Sequence, residues 1–167
     1  MIEAQTIEEL KQHNFWGFER IAEMQSNHCA NVPPLPGVYL VVRERNSQFE
    51  FLPESVGGWH KGRNPSVNSP VLKDAWVDGT IILYIGKAGG GKSLATLQKR
   101  LRAYMRFGEG KPVAHWGGRF IWQLKDWRKL RVCWRPMPDG DAEILEKMLI
   151  QEFKARYVKR PFANLRD

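Results

Sequence analysis

Proline sets the boundaries of this chain. Pro33, Pro34 and Pro36 make one break, Pro136 and Pro138 a second, and Pro161 a third. A proline inside a helix removes a backbone donor and clashes with the preceding turn, so no regular helix crosses these points. Between the breaks lie three short runs rich in β-branched and aromatic residues, at 37–43, 80–85 and 130–135, which read as strands. Two longer amphipathic stretches read as helices, from about 94 to 107 and from about 141 to 158, with Asp139 or Asp141 near the second N-cap. Residues 1–30 also read as helical. Thr6 and Glu9 are spaced as a capping box there, and Ile7, Leu10, Phe18, Ile21 and Met24 supply buried contacts. The 167 residues suit one compact domain, with a helical arm at 1–32 and a main body at 33–167.

Residues 44–79 are an inserted loop in this reading. Phe49 to Leu52 extends a ribbon, and then Pro53, Gly57, Gly58, Gly62, Pro65 and Pro70 interrupt any regular structure. Long loops in compact domains are usually functional or mobile.

Seven Trp and eight Phe give a core much to bury, which excludes disorder as the main state. No apolar run approaches the roughly 18 residues of a membrane span. The start Met1-Ile2-Glu3-Ala4 lacks the basic and apolar regions of a secretory signal. Cys29 and Cys133 cannot build a disulfide scaffold or a CxxC metal site, so a reducing cytoplasm is expected. Charge is unevenly placed. Residues 86–167 hold 19 Lys and Arg against 8 Asp and Glu, whereas residues 1–85 hold 7 against 10. A basic half of this kind suits a polyanion, whether nucleic acid, anionic lipid or phosphate metabolite, and equally suits a merely solubilising surface.

Residues 86–93 read Gly-Lys-Ala-Gly-Gly-Gly-Lys-Ser, a complete match to the GxxxxGK[ST] phosphate loop between a strand and a helix. A nucleotide hydrolase also needs a second strand ending in a magnesium-binding Asp, and further parallel strands. The strand that follows here ends in Arg135-Pro136 instead. A nucleotide-binding protein is therefore the remote alternative. The simpler reading is a glycine-rich turn with Lys87 and Lys92 free to meet a phosphate.

Helical-wheel positions single out two charged residues. In the first long helix Leu94, Leu97, Leu101, Tyr104 and Met105 define the apolar arc, and Lys99, Arg102 and Arg106 the opposite face. Arg100 stands on the shoulder of the arc, about 60° from Leu97. In the second, Ala142, Leu145, Leu149, Ile150, Phe153 and Tyr157 are apolar and Glu146 falls among them, while Glu143 and Lys147 fall outside. A carboxylate on a core-facing stripe is costly unless paired or bound to a metal. Both a Glu–Arg pair and a metal ligand satisfy that requirement.

These residues fall in a known order. Gly37-Val38-Tyr39 and Tyr84-Ile85-Gly86, then Arg100 in Gln98-Lys99-Arg100-Leu101-Arg102, then Glu146 within 142–150, and finally Asn164 in Arg160-Pro161-Phe162-Ala163-Asn164 resemble the GIY-YIG nuclease family. The resemblance spans about 33–167, with Val38 in place of the family's Ile. Two features depart from it. About 40 residues separate the signatures where the family has a short hairpin loop, and the glycine-rich insert lengthens the path to Arg100. The insertion holds His60, Lys61 and Arg63, which either contact substrate or belong to a structural excursion.

The resemblance implies an α/β (α+β) fold with a small three-stranded antiparallel sheet flanked by helices. It implies a metal-dependent endonuclease acting on nucleic acid, DNA more than RNA, with Mg2+ or Mn2+ held by Glu146. In that mechanism Arg100, rather than Arg102 by its wheel position, holds the phosphate. Tyr39 or Tyr84 orients or deprotonates the attacking water, which requires cations such as Lys87 to lower a phenol pKa. Asn164 orients by hydrogen bonding. Lys87, Lys92, Lys99, Arg102, Arg106, Lys111 and Arg119 are candidates to track the backbone, and His115 and Trp116 to meet a base or sugar. A catalytically silent nucleic-acid-binding module on the same fold is the alternative. Specificity then resides in residues 1–30, the 44–79 loop or a partner protein, and no membrane is involved.

Overall fold

The computed structural model of the chain describes residues 5–166. In chain order the elements are α1 (Ile7–Gln12), β1 (Trp16–Arg20), α2 (Ile21–Ser26), β2 (Gly37–Val42), α3 (Ser69–Ala75), β3 (Ile82–Ala88), α4 (Leu97–Gly108), β4 (Arg131–Pro136) and α5 (Ala142–Tyr157). Two short 3-10 turns, Arg119–Gln123 and Trp127–Lys129, lie between α4 and β4. The fold is α+β. Its sheet is antiparallel and open, in the order β1-β4-β2-β3. Among the described residues no helix is long and apolar enough to cross a membrane.

The expected three-stranded sheet gains a fourth strand, drawn from the segment read as helical. Residues 16–20 pair with β4 through a bulge between Gly17 and Glu19. Gly17 and Phe18 take positive φ there, 89° and 57°. A side chain on Gly17 would overlap the Trp134 ring, so the bulge requires glycine. The capping box of α1 is present: Glu9 N–H donates to Thr6 Oγ1 at 3.2 Å, and the Glu9 carboxylate accepts from Thr6 N–H at 3.3 Å. Leu10, Phe18, Ile21 and Met24 are buried as anticipated.

β2 is buried on both faces, and its pleat sorts the core. Val38, Leu40 and Val42 pack with Leu149, Ile150 and Phe153 of α5. Tyr39 and Val41 pack with Leu97, Leu101 and Tyr104 of α4. Helices α4 and α5 therefore cover opposite faces. β3 is the outer strand of the sheet, so side chains from both helices can meet around its edge.

Helix α4 begins later than its pattern suggested. Thr96 is the N-cap, its hydroxyl accepting from Lys99 N–H at 3.3 Å. Leu94 lies outside the helix and is 93% exposed, so it is no part of the core. Strand β3 runs on through Lys87 to Ala88, and Gly89, Gly90 and Gly91 turn at positive φ. The phosphate-loop string is thus divided between an antiparallel strand and a turn, and the helix starts beyond it.

The 44–79 insertion is more ordered than a loop. It carries α3, and Phe51 bridges to Leu124. The buried Gln123 side chain anchors it. Its amide donates to Leu52 O at 3.1 Å and Val67 O at 2.8 Å and accepts from Val67 N–H at 3.0 Å. Phe51, Trp76 and Phe162 cluster over it, with ring centroids 5.1 to 6.1 Å apart.

Candidate functional site

A cleft of about 760 Å³ opens beside the outer edge of β3. Tyr84 and Lys87 come to it from β3, Arg100 from α4, Glu143, Glu146 and Lys147 from α5, and Asn164 from the C-terminal segment. Residues read from five separated stretches of sequence, 39, 84, 100, 146 and 164, thus converge, although Tyr39 lies beneath the cleft wall and is fully buried.

The floor is aromatic. Tyr39, Tyr84 and Tyr104 form a triangle with centroid separations of 5.9, 6.4 and 5.8 Å. Gly86 is required by this packing. A Cβ there would sit 2.5 Å from Tyr39 Cζ and 2.6 Å from its hydroxyl. Gly118, at φ 76°, makes the opposite wall: a Cβ would meet the Tyr104 hydroxyl at 2.7 Å and the Tyr84 ring at 2.9 Å. The Tyr104 hydroxyl donates to Gly118 O at 2.8 Å. The Tyr39 hydroxyl faces Tyr84 and Arg100 without an aligned hydrogen bond to either.

Burial pushes the Tyr39 phenol above its ordinary pKa and pushes Tyr84 well above. The Arg100 guanidinium pulls both down but does not prevail. These shifts run against a cation-activated phenolate at either position. Lys87, the expected source of that activation, is engaged elsewhere: its Nζ lies 3.0 Å from Glu143 Oε2.

Two carboxylates three residues apart on α5 contrast sharply. Glu143 is gripped by Lys147 at 2.9 Å as well as Lys87, and these two ammonium groups hold its pKa down to about 2. Glu146 receives no hydrogen bond and no ion pair among the described residues. Burial raises its pKa, although Lys87 and Arg100 oppose the rise from nearby. Among the described residues the expected Glu–Arg pair is absent as a contact, and the Arg100 Nε is buried without a partner.

Asn164 acts as a mimic of a neighbouring strand. Its Oδ1 accepts from Ile85 N–H and its Nδ2 donates to Ile85 O, both at 2.9 Å. With Ala163 N–H on Leu83 O at 2.8 Å, it pairs the edge of β3 between Tyr84 and Gly86. Its amide orients the strand.

The remaining basic residues divide. Lys92, Lys99, Arg102, Arg106 and Lys111 are exposed and lie outside the cleft lining. Arg102 points away, its Nε donating to His28 O at 2.9 Å, which leaves Arg100 as the arginine of the cleft. His115 corrects an expectation of surface contact. It is buried, stacked 4.3 Å from Tyr104, with neither ring nitrogen hydrogen-bonded. Burial, aided by Arg100, holds its pKa well below the usual histidine range. Arg119 is half-buried against Trp116, at 4.7 Å, and Arg63 of the insertion approaches the same indole at 4.4 Å.

Sequence reasoning set aside Glu143 and Lys147 as solvated-face residues. Their i,i+4 spacing was the available signal. Cys29 and Cys133 are free and buried, and burial pushes the Cys29 thiol up to about 12 and Cys133 higher still, so neither serves as a nucleophile. No protein-family model, curated protein or solved structure matches this chain.

Proposed function

We propose that the chain is a metal-dependent endonuclease of the GIY-YIG type, hydrolysing phosphodiester bonds in nucleic acid, DNA in preference to RNA. The observation that carries this reading is the unpaired Glu146 carboxylate facing the same cleft as Arg100 and Tyr84. A half-buried carboxylate with no donor is costly, and a bound cation removes that cost.

The donor set suits a hard divalent ion. Among the described residues no three His, Cys, Asp or Glu side chains gather, so one carboxylate would hold the ion and water would complete its shell. Mg2+ and Mn2+ favour oxygen ligands, and Mg2+ readily keeps several waters. When bound, such an ion polarises the phosphate and stabilises the leaving oxygen.

The protein's own groups do the positioning. Arg100 donates its fork of N–H groups to the non-bridging phosphate oxygens and offsets charge that grows in the transition state. Tyr84, kept protonated by burial, accepts a hydrogen bond from the attacking water on its hydroxyl oxygen and donates its own O–H to a phosphate oxygen, while the proton lost by the water passes to solvent. Of the two expected roles of a tyrosine, orienting or deprotonating the attacking water, this mechanism uses the first. Tyr39 supports Tyr84 and Arg100 from below, and Asn164 fixes the strand that carries Tyr84. Lys87, paired with Glu143, keeps that second carboxylate away from an incoming phosphate.

The test is nicking of supercoiled plasmid. Wild-type protein nicks with Mg2+, a chelator abolishes the activity, and Glu146→Ala reduces it to background. Cleavage that survives Glu146→Ala unchanged overturns the assignment.

A further inference from the structure

The 44–79 insertion delivers a cation to the cleft from outside the set just described. Residues 60–63 form a tight turn: His60 and Arg63 bridge, and the two residues between them, Lys61 and Gly62, take left-handed φ of 51° and 72°. Two-residue turns of this kind fix the residues that flank them. The turn sets Arg63 against the Trp116 indole, where Arg119 already lies. Arg63 and Trp116 both line the cleft that holds Arg100 and Glu146. No carboxylate pairs with either guanidinium among the described residues. The Arg119 Nε is moreover buried without an acceptor among those residues.

Two like charges gathered on one indole repel each other, and an anion that reaches both relieves that repulsion. Guanidinium is the group whose planar fork matches phosphate oxygens, and the indole holds both forks in place. The neighbouring Trp59 is 58% exposed, an aromatic face beside the turn on which a base can stack. That favours a nucleic-acid phosphate over free inorganic phosphate. Resting on the nuclease reading above, we propose that Arg63 and Arg119, gathered on Trp116, form a second phosphate subsite. It grips a backbone phosphate other than the one held by Arg100, and the insertion exists to complete it.

The experiment is fluorescence anisotropy of the full chain with a labelled duplex, in chelator so that no cleavage occurs, across a potassium chloride series. The readout is the slope of log binding constant against log salt. Each phosphate contact contributes close to one unit of slope, so Arg63→Gln and Arg119→Gln are each expected to reduce it by about 1. Arg63 sits on an exposed turn, so Arg63→Gln is the decisive variant should Arg119→Gln melt early. Unchanged slopes in folded variants, with wild-type binding intact, overturn the subsite and leave the nuclease reading standing. Failure of wild-type protein to bind the duplex at all overturns the nuclease reading, and this subsite with it.

Discussion

The two flanks of the α5 face teach more together than either does alone. On one, Glu143 sits between Lys87 and Lys147 with its pKa drawn down to about 2. On the other, Glu146 is the more buried carboxylate and has no donor among the described residues, and its pKa is drawn up. They share a helix, a cleft and a residue type, and lie three residues apart. A paired carboxylate is already satisfied and has little left to offer a ligand. An unpaired one keeps its lone pairs available at a cost to the fold. In the proposed mechanism this difference makes Glu146 the metal ligand and Glu143 part of the frame.

The sharpest way to break this contrast is at the arginine that faces it. Arg100→Ala is expected to lower the nicking rate constant about 10²- to 10³-fold, the usual cost of removing a preorganised donor to a developing oxyanion. Arg102→Ala, on the far side of α4, is expected to leave the rate within about threefold, apart from a weaker salt-dependent binding contribution. Equal losses in the two variants would mean that the cleft is not where the chemistry occurs.

Next in size is a packing effect. Gly86→Ala places a methyl group against the Tyr39 ring tip, and overpacking of this kind costs about 1–3 kcal/mol. Denaturant melts would measure it. A neutral result would show that the tyrosine floor is looser than described.

The smallest effect sharpens the comparison directly. Glu146→Gln removes a charge whose burial is unfavourable, so the variant is expected to be more stable at alkaline pH, by about 0.5 kcal/mol after discounting for solvent screening. The sign follows from linkage. Burial raises the Glu146 pKa in the folded state above its unfolded value, so the folded protein holds that proton more tightly. The wild type therefore loses stability as pH rises through that window. The advantage of Glu146→Gln is present above the folded pKa and fades as pH falls through it. Thermal melts across pH would show the crossover, and a variant less stable than wild type at alkaline pH would mean Glu146 has a partner.

Much of this was legible from local pattern. β2, β3 and β4 show as apolar runs bounded by Pro and Gly, and α5 as a period-3.6 stripe with an Asp cap, because these signals lie within a few residues of each other. Glu146 stood out for the same reason, as a charge where the stripe required an apolar side chain. β1 was hidden because Trp16–Arg20 has no alternation of its own. It is a strand because β4 offers an edge and Trp134 leaves room only for Gly17. The partners of Lys87 and the burial of His115 were hidden as well. Lys87 meets Glu143 across 56 positions of sequence, and His115 is buried by stacking on Tyr104 from another element. Contacts of that range are set by the closed fold and leave no local trace.

The most direct measurement is a single-turnover comparison of Glu146→Gln and Glu143→Gln on the same plasmid with saturating Mg2+. Both replacements keep size and remove one charge, three residues apart. The account predicts that Glu146→Gln falls to background while Glu143→Gln keeps its rate within about tenfold, the loss of a framing group only. The reverse order, or equal retention by both, would contradict it.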